Sequence, residues 1–293
     1  MPIFWTGLLI LLYTMQSFFC RRFSDHYKGD ANASSSVFST LFGFAVGLST
    51  LLVSGFEFSP SRLTWILGLL NGAMLFFYNC SMVKATQKGP YSFLAICMLF
   101  GGLLGPLALS VFVLHQPLKG AALAGFLLML VSFVVLNAKR TSFKGTPLSY
   151  YVWCAVTFFS NGIFSSVMAV HSNRVGPSER SEMVVISYLF SAILAMAILA
   201  VSRKKRIWTD FASIGKKAWL SGIICWASAS GACNLVLYVL SIVTNVAVFY
   251  AVENGGVLIL SLVLSMVVLR ERVSWLQAVG MVLSVVSIVL LSL

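Results

Sequence analysis

Long apolar runs, broken at short intervals by polar and basic stretches, set the pattern of this chain. Ten such runs cover residues 2–20, 36–56, 62–84, 90–114, 118–137, 147–170, 182–202, 218–241, 245–269 and 273–292. They are about 20 residues long and do not alternate with period two, so they predict helices rather than the strands of a membrane barrel. At 1.5 Å rise per residue, each is long enough to cross a hydrocarbon core of about 30 Å. Trp5, Trp65, Trp153, Trp219 and Trp275 fall near run ends, where indoles favour the headgroup zone.

Composition agrees with this pattern. Hydrophobic residues make up 59% and charged residues 10% of the 293, too little charge to cover the surface of a soluble chain of this length. The formal net charge of +12 does not point to nucleic acid, because the basic residues punctuate the apolar runs instead of forming one amphipathic surface. Sixteen of the twenty Lys and Arg residues fall in alternate connections, the densest being the Arg203–Lys204–Lys205–Arg206 stretch. The positive-inside rule then predicts a multi-pass cell-membrane protein with this loop in the cytoplasm and both termini outside. The first run has its basic residues, Arg21 and Arg22, after it and none before it, so it reads as a retained helix rather than a signal peptide.

The chain repeats itself. "VLHQPLKGAALAGFLLMLVS" (113–132) and "VLRERVSWLQAVGMVLSVVS" (268–287) align at an offset of 155, which pairs Gly125 with Gly280, Ser132 with Ser287 and the polar break His115-Gln116 with Arg270-Glu271. The same offset carries Asn79 onto Asn234; upstream an offset of about 145 brings Gln16 to Asn161. Two halves follow, 1–140 and 141–293. Five spans is an odd number, so the second half enters the membrane the opposite way round, as in inverted-repeat transporters. The expected fold is an all-α membrane protein of ten transmembrane helices in two inverted five-helix repeats.

With "KGPYSFLAICMLFGGLLGPLALSVFVLHQPLK" in the first half and "NLVLYVLSIVTNVAVFYAVENGGVLILSLVLSMVVLRERVSWLQAVGMVLSVVSIVLLSL" in the second, the chain resembles the drug/metabolite transporter superfamily, and within it the EamA-like ten-span proteins. In both halves a fourth span is followed by a short polar hinge and a glycine-containing fifth span. The family hinge often carries Glu; Glu271 fits it, whereas Gln116-Pro117 departs from it. The resemblance implies ten helices around a central cavity, and substrates that range from amino acids to nucleotide sugars and drugs.

One charge lies deep inside a run. Glu253 is about eight residues, hence about 12 Å, from the expected external end of the ninth run. An acid at a helix centre costs roughly 2.5–3.5 kcal/mol to insert, so it should face protein or water. Burial disfavours its charged form, which suits a proton-coupling group, a counter-ion for a cationic solute, or a protonated acid bonded to a neighbouring helix. Asn254 is adjacent but about 100° round the helix and need not share its site. Asn79 and Asn234 form one amide pair and Gln16 and Asn161 a second; each serves equally well for interhelical bonding or for solute contact. Tyr78, Tyr238 and Trp226 are polar aromatics nearby. Lys84, one turn before Lys88, reads as a snorkelling side chain, or, if turned inward, as a site for an anionic substrate.

The pairs Gly43/Gly47, Gly68/Gly72 and Gly101/Gly105 each form G-x-x-x-G, a spacing that lets helices approach closely. Within one chain this packs spans together; a homodimer stays open beside a monomer. The six cysteines read as small apolar packing residues. The runs offer no HExxH, aspartate pair or Ser-His couple, and no nucleotide-binding loop. The expectation is therefore not an enzyme, and no cofactor or metal is implied. The function expected is secondary transport of a small organic metabolite by alternating access, driven by protons or another coupling ion. An exporter or exchanger of amino-acid-like or drug-like solutes comes first. The alternatives are a nucleotide-sugar or sugar-phosphate exchanger and a non-transporting scaffold or receptor.

Overall fold

Apolar segments in hydrocarbon must satisfy every backbone N–H and C=O internally, and this chain does so with helices. The computed structural model describes residues 2–86, 88–89, 91–116, 118, 120–137, 146–176, 178–268 and 274–292. Eleven α-helices run in order: α1 (Pro2–His26), α2 (Ala31–Val53), α3 (Arg62–Thr86), α4 (Tyr91–Phe112), α5 (Gly120–Asn137), α6 (Leu148–Arg174), α7 (Arg180–Arg203), α8 (Ile207–Ala212), α9 (Lys216–Ile242), α10 (Val246–Val268) and α11 (Trp275–Ser292). No strand occurs among the described residues.

All ten apolar runs fall on helices, and α8 is an addition inside the basic connection. Seven helices are long and apolar enough to cross a membrane over the described residues, and Gly120–Leu136, Val246–Ser261 and Trp275–Leu291 are shorter apolar stretches. The chain is thus an all-helical protein suited to a membrane.

It divides into two units: residues 1–11, 81–169 and 242–293 form unit 1, and residues 12–80 and 170–241 form unit 2. In unit 1, Leu103, Phe126, Met129, Phe133, Leu136, Ala251 and Leu291 make a core shared by α4, α5, α10 and α11. Here α5 and α11 meet reciprocally. A side chain at Gly125 would come within 2.9 Å of the Leu291 backbone nitrogen, and one at Gly280 within 3.0 Å of the Leu136 nitrogen. These two contacts exchange under the offset of 155. The Ser287 hydroxyl also donates to the Gly125 carbonyl at 2.5 Å.

In unit 2, two G-x-x-x-G faces close on one helix. Gly43 and Gly47 of α2 lie against α7 at Tyr188, Leu189 and Ala192, while Gly68 and Gly72 of α3 lie against it at Ile186, Ser187 and Phe190. The third face, Gly101 and Gly105 of α4, meets α6 in unit 1 at Phe158 and Gly162. All three faces are occupied inside the chain. At the end of α2, Gly55 takes φ +68° while the Phe56 N–H reaches the Leu51 carbonyl, a left-handed cap that glycine adopts without strain.

The basic connection is ordered by charge. The Arg203 guanidinium donates to both carboxylate oxygens of Asp210, at 2.8 and 3.0 Å, and pairs with Asp30 at 2.9 Å. Beneath it lie Phe23, Ala33, Val37, Leu199, Ile214 and Ala218.

A methyl group at position 43 would sit 2.5 Å from the Tyr188 carbonyl oxygen. Gly43→Ala should therefore lower stability by about 1–3 kcal/mol. Gly7→Ala, where nothing lies within 4 Å, should hold or gain, since a helix interior favours alanine by about 1 kcal/mol. Thermal unfolding of both variants in detergent micelles checks the difference.

Candidate functional site

The start of α10 is fixed by two side chains, and this sets the position of its acid. Asn245 caps the helix, its Oδ1 accepting the Val248 N–H at 3.1 Å. Gln116 accepts at both carbonyls: its backbone oxygen takes the Asn245 amide at 3.2 Å and its Oε1 takes the Val246 N–H at 3.3 Å. Capping of this kind satisfies N–H groups that the first turn of a helix leaves free. The polar hinge of the first half, at Gln116, thus holds the start of α10. The matching hinge, Arg270-Glu271, lies outside the described residues, as does Pro117.

Two turns into α10, Glu253 is buried, with 7% exposure. The Asn254 amide donates to its carboxylate at 3.0 Å and to the Tyr250 carbonyl at 2.9 Å. The two neighbours, 100° apart on the helix, do share one site, because the asparagine amide turns back to the acid. Among the described residues no cation forms an ion pair with Glu253. Tyr250 ties α10 to α6, its hydroxyl donating to the Ser165 carbonyl at 2.9 Å.

Asn161 joins this group. Its amide donates to the Met98 carbonyl of α4 at 2.8 Å. A side chain at Gly102 would lie 2.9 Å from the Asn161 amide nitrogen and 3.5 Å from the Asn254 amide oxygen. Four residues after Gly102, Pro106 stands inside α4. Proline has no N–H to give, so the Gly102 carbonyl loses its helical donor. A freed carbonyl, two amides and a carboxylate therefore gather in unit 1 on α4, α6 and α10. Glycine at 102 leaves the room they need. A proline inside an apolar run, next to a glycine pair, was the sequence signal for this turn.

The other candidates lie in different settings. In unit 2, Asn234 donates to Thr50 Oγ1 at 3.1 Å and to the Ser230 carbonyl at 2.9 Å, and Ser49 donates to Ser230 Oγ at 3.0 Å. This polar seam joins α2 to α9. Asn79, its counterpart by offset, is half-buried. Gln16 Oε1 and Trp226 Nε1 are buried without a partner among the described residues; the Cys225 thiol, next to Trp226, donates to the Gln16 backbone carbonyl at 3.3 Å. Tyr78, on α3, is half-buried. The Arg180 guanidinium lies 5.5 Å from the centre of the Tyr238 ring. Lys84 is exposed, and its ammonium lies 4.4 Å from the centre of the Trp153 ring in unit 1.

Sequence reasoning missed a further cluster in unit 2. Glu179, between α6 and α7, accepts the Ser61 N–H at 2.8 Å and the Thr64 hydroxyl. A carboxylate only accepts, so Thr64 is the donor there. Its oxygen is left to accept from Ser61 Oγ at 3.2 Å and from His171 Nε2 at 3.0 Å. The imidazole is therefore the Nε2–H tautomer, and its Nδ1 is buried without a partner among the described residues. Ser61 and Thr64 stand at the start of α3, His171 near the end of α6 and Glu179 beyond it, so no sequence spacing connects the three places.

No family model matches the chain, and no curated protein matches it. A solved structure described only as "Crystal structure of protein" superposes on 99% of this chain and 96% of its own, with a TM-score of 0.76 and 19% identity. At this identity the likeness shows a shared helical fold.

Burial pushes the Glu179 carboxyl up, but the Thr64 and Ser61 donors outweigh it and hold the group below the usual carboxylate range. Because its folded value is depressed, this group contributes stability above the unfolded value near 4.3 and loses it as pH falls through the folded value. Glu179→Gln should therefore flatten the acid limb of a stability-versus-pH curve in detergent and lower stability at neutral pH.

Proposed function

We propose that the chain is a secondary transporter of small organic metabolites, of the drug/metabolite transporter type, with ten spans in two inverted five-helix repeats. Glu253 carries the reading: a buried carboxylate without a cation partner among the described residues, beside Asn254, Asn161 and a turn of α4 opened by proline. Ionisable groups at such depth mark solute or ion pathways by default. The reciprocal packing of Gly125 and Gly280 between α5 and α11 supports a duplicated chain, and duplication with opposite entry suits alternating access. The bias of basic residues puts both termini outside a cell membrane.

An unpaired acid suits a solute bearing an ammonium group, or a proton taken in exchange for one. We therefore favour an exporter or exchanger of amino-acid-like or drug-like solutes. The sugar-phosphate alternative depended on Lys84 turning inward, and the Lys84 ammonium lies on Trp153 instead.

Purified protein in proteoliposomes, loaded with a metabolite panel and given an imposed proton gradient, tests this. The wild type should move at least one amine-bearing solute with a rate that depends on pH. Glu253→Gln should abolish the proton-coupled component while exchange of solute for solute partly persists. A variant with the wild-type pH dependence would remove Glu253 from the mechanism, and no flux under any gradient would remove the transport reading.

A further inference from the structure

Two of the six cysteines do more than pack. In unit 2, α1 and α9 run antiparallel against each other: Leu12 meets Gly231, the Gln16 carbonyl accepts from the Cys225 thiol at 3.3 Å, and Phe23 meets Gly222. Glycine at two of these three levels admits α1 closely. Cys20 belongs to the same face of α1, four residues after Gln16 and three before Phe23. The Gln16 carbonyl is also the helical acceptor of the Cys20 N–H, so a sulfur resting on that carbonyl lies beside Cys20. The two thiols accordingly hydrogen-bond to each other across the interface.

As glue between helices this pair is poor, because a thiol is a weak donor and a weak acceptor. Elsewhere the chain joins helices with amides and hydroxyls, as Asn161 does to Met98 and Ser172 to Leu237. Two thiols in contact have a chemistry that those groups lack, since loss of two protons and two electrons bonds them covalently. Their exposures also differ: Cys225 is fully buried, whereas Cys20 is half-buried. A small reagent reaches the first thiol only through the second, which is the arrangement of an attacking cysteine and its resolving partner.

We propose that Cys20 and Cys225 form a redox-responsive dithiol that closes to an intramolecular disulfide and ties α1 to α9. The oxidant is a low-molecular-weight disulfide of the glutathione class. Cys20 loses its proton and its thiolate attacks one sulfur of that disulfide, expelling one glutathione thiolate. Cys225, deprotonated in turn, attacks the Cys20 sulfur of the mixed disulfide and expels the second. Two protein thiols are oxidised, one external disulfide is reduced to two thiols, and both protons end on glutathione. In the orientation proposed above, the pair lies toward the basic, cytoplasmic ends of its helices. Thiols are kept reduced there, so the dithiol is the resting form and the disulfide a transient one. The inference is independent of what the protein transports.

Cys97 and Cys154 also meet, between α4 and α6 in unit 1, where the Tyr150 hydroxyl shares the Cys154 thiol. Cys97→Ser removes that second pair and serves as the parent for the test. Full-length parent in detergent is incubated with oxidised glutathione at rising ratio to reduced glutathione, alkylated with iodoacetamide and digested. Peptide mass should show Cys20 bonded to Cys225 within one chain, reversed by dithiothreitol. The bond closes a long loop of chain, so the oxidised parent should melt several degrees higher than the reduced one. In Cys225→Ala, Cys20 should stop at the glutathione adduct; in Cys20→Ser, Cys225 should stay a thiol. Neither variant should gain the melting shift, and each should melt, when reduced, close to the reduced parent, which reports that it is folded. A parent that stops at the glutathione adduct on Cys20 means that Cys225 cannot reach it. A Cys20–Cys225 bond that forms only between chains, or only after unfolding in urea, means that the helices do not hold the two together. Absence of the linked peptide at every glutathione ratio means that the pair only packs. Each of these three results overturns the proposal.

Discussion

Close approach of backbones at glycine is the constraint on which the described packing depends. In hydrocarbon no hydrophobic force draws helices together, because lipid tails are as apolar as leucine. Attraction has to come from dispersion across a close interface and from hydrogen bonds that need the same closeness. In unit 2, α7 touches both α2 and α3 through glycine faces, at distances where a β-carbon would strike backbone oxygen. The bonds follow the glycines. Asn71 stands next to Gly72 and donates to Ser187 of α7 at 3.3 Å. In unit 1, Asn161 passes Gly102 on its way to the Met98 carbonyl. Small residues and amides are therefore one device: the first admit the neighbour and the second bond to it.

The two units differ in how completely their polar groups are satisfied. The buried side-chain atoms without partners among the described residues are Gln16 Oε1, Thr40 Oγ1, Asn71 Oδ1, His171 Nδ1 and Trp226 Nε1, and all five belong to unit 2. An orphaned polar atom costs about 1–3 kcal/mol in an apolar interior. Unit 1 concentrates its polarity at one place instead, around a single carboxylate on a helix mounted by Gln116 and Asn245.

What the sequence disclosed and what it hid divide along physical lines. Helices were legible because hydropathy acts on each residue separately: every apolar run became a helix. The glycine spacings were legible because a four-residue repeat puts both members on one face. Which helix each face would meet was not. Pairings set by tertiary distance stayed hidden, as with Arg203 reaching Asp210 and Asp30, or Thr64 reaching His171 and Glu179 across 107 and 115 residues of chain. Glu253 was legible as the one deep acid. Whether its neighbour shares the site could not be read from helix angle alone, since an asparagine side chain is long enough to fold back through the 100° that separates the residues. Gln116 looked like a departure from the family hinge; its role as a cap for another helix required the fold.

The charge on Glu253 has little in the described residues to support it. The field of a helix N-terminus fades within the first turn, and Glu253 lies two turns beyond Val246. One amide donates to the carboxylate, whereas two or three donors are typical of a carboxylate held firmly in its charged form. No cation faces it among the described residues, and no helix dipole reaches it. In the transport reading proposed above, a proton or a solute that brings its own positive charge would complete what the described residues leave open. Under that reading, competition between these two for one carboxylate would couple a proton gradient to the movement of an amine. It needs no second ionisable group, and unit 1 offers none beside Glu253 among its described hydrogen-bond partners.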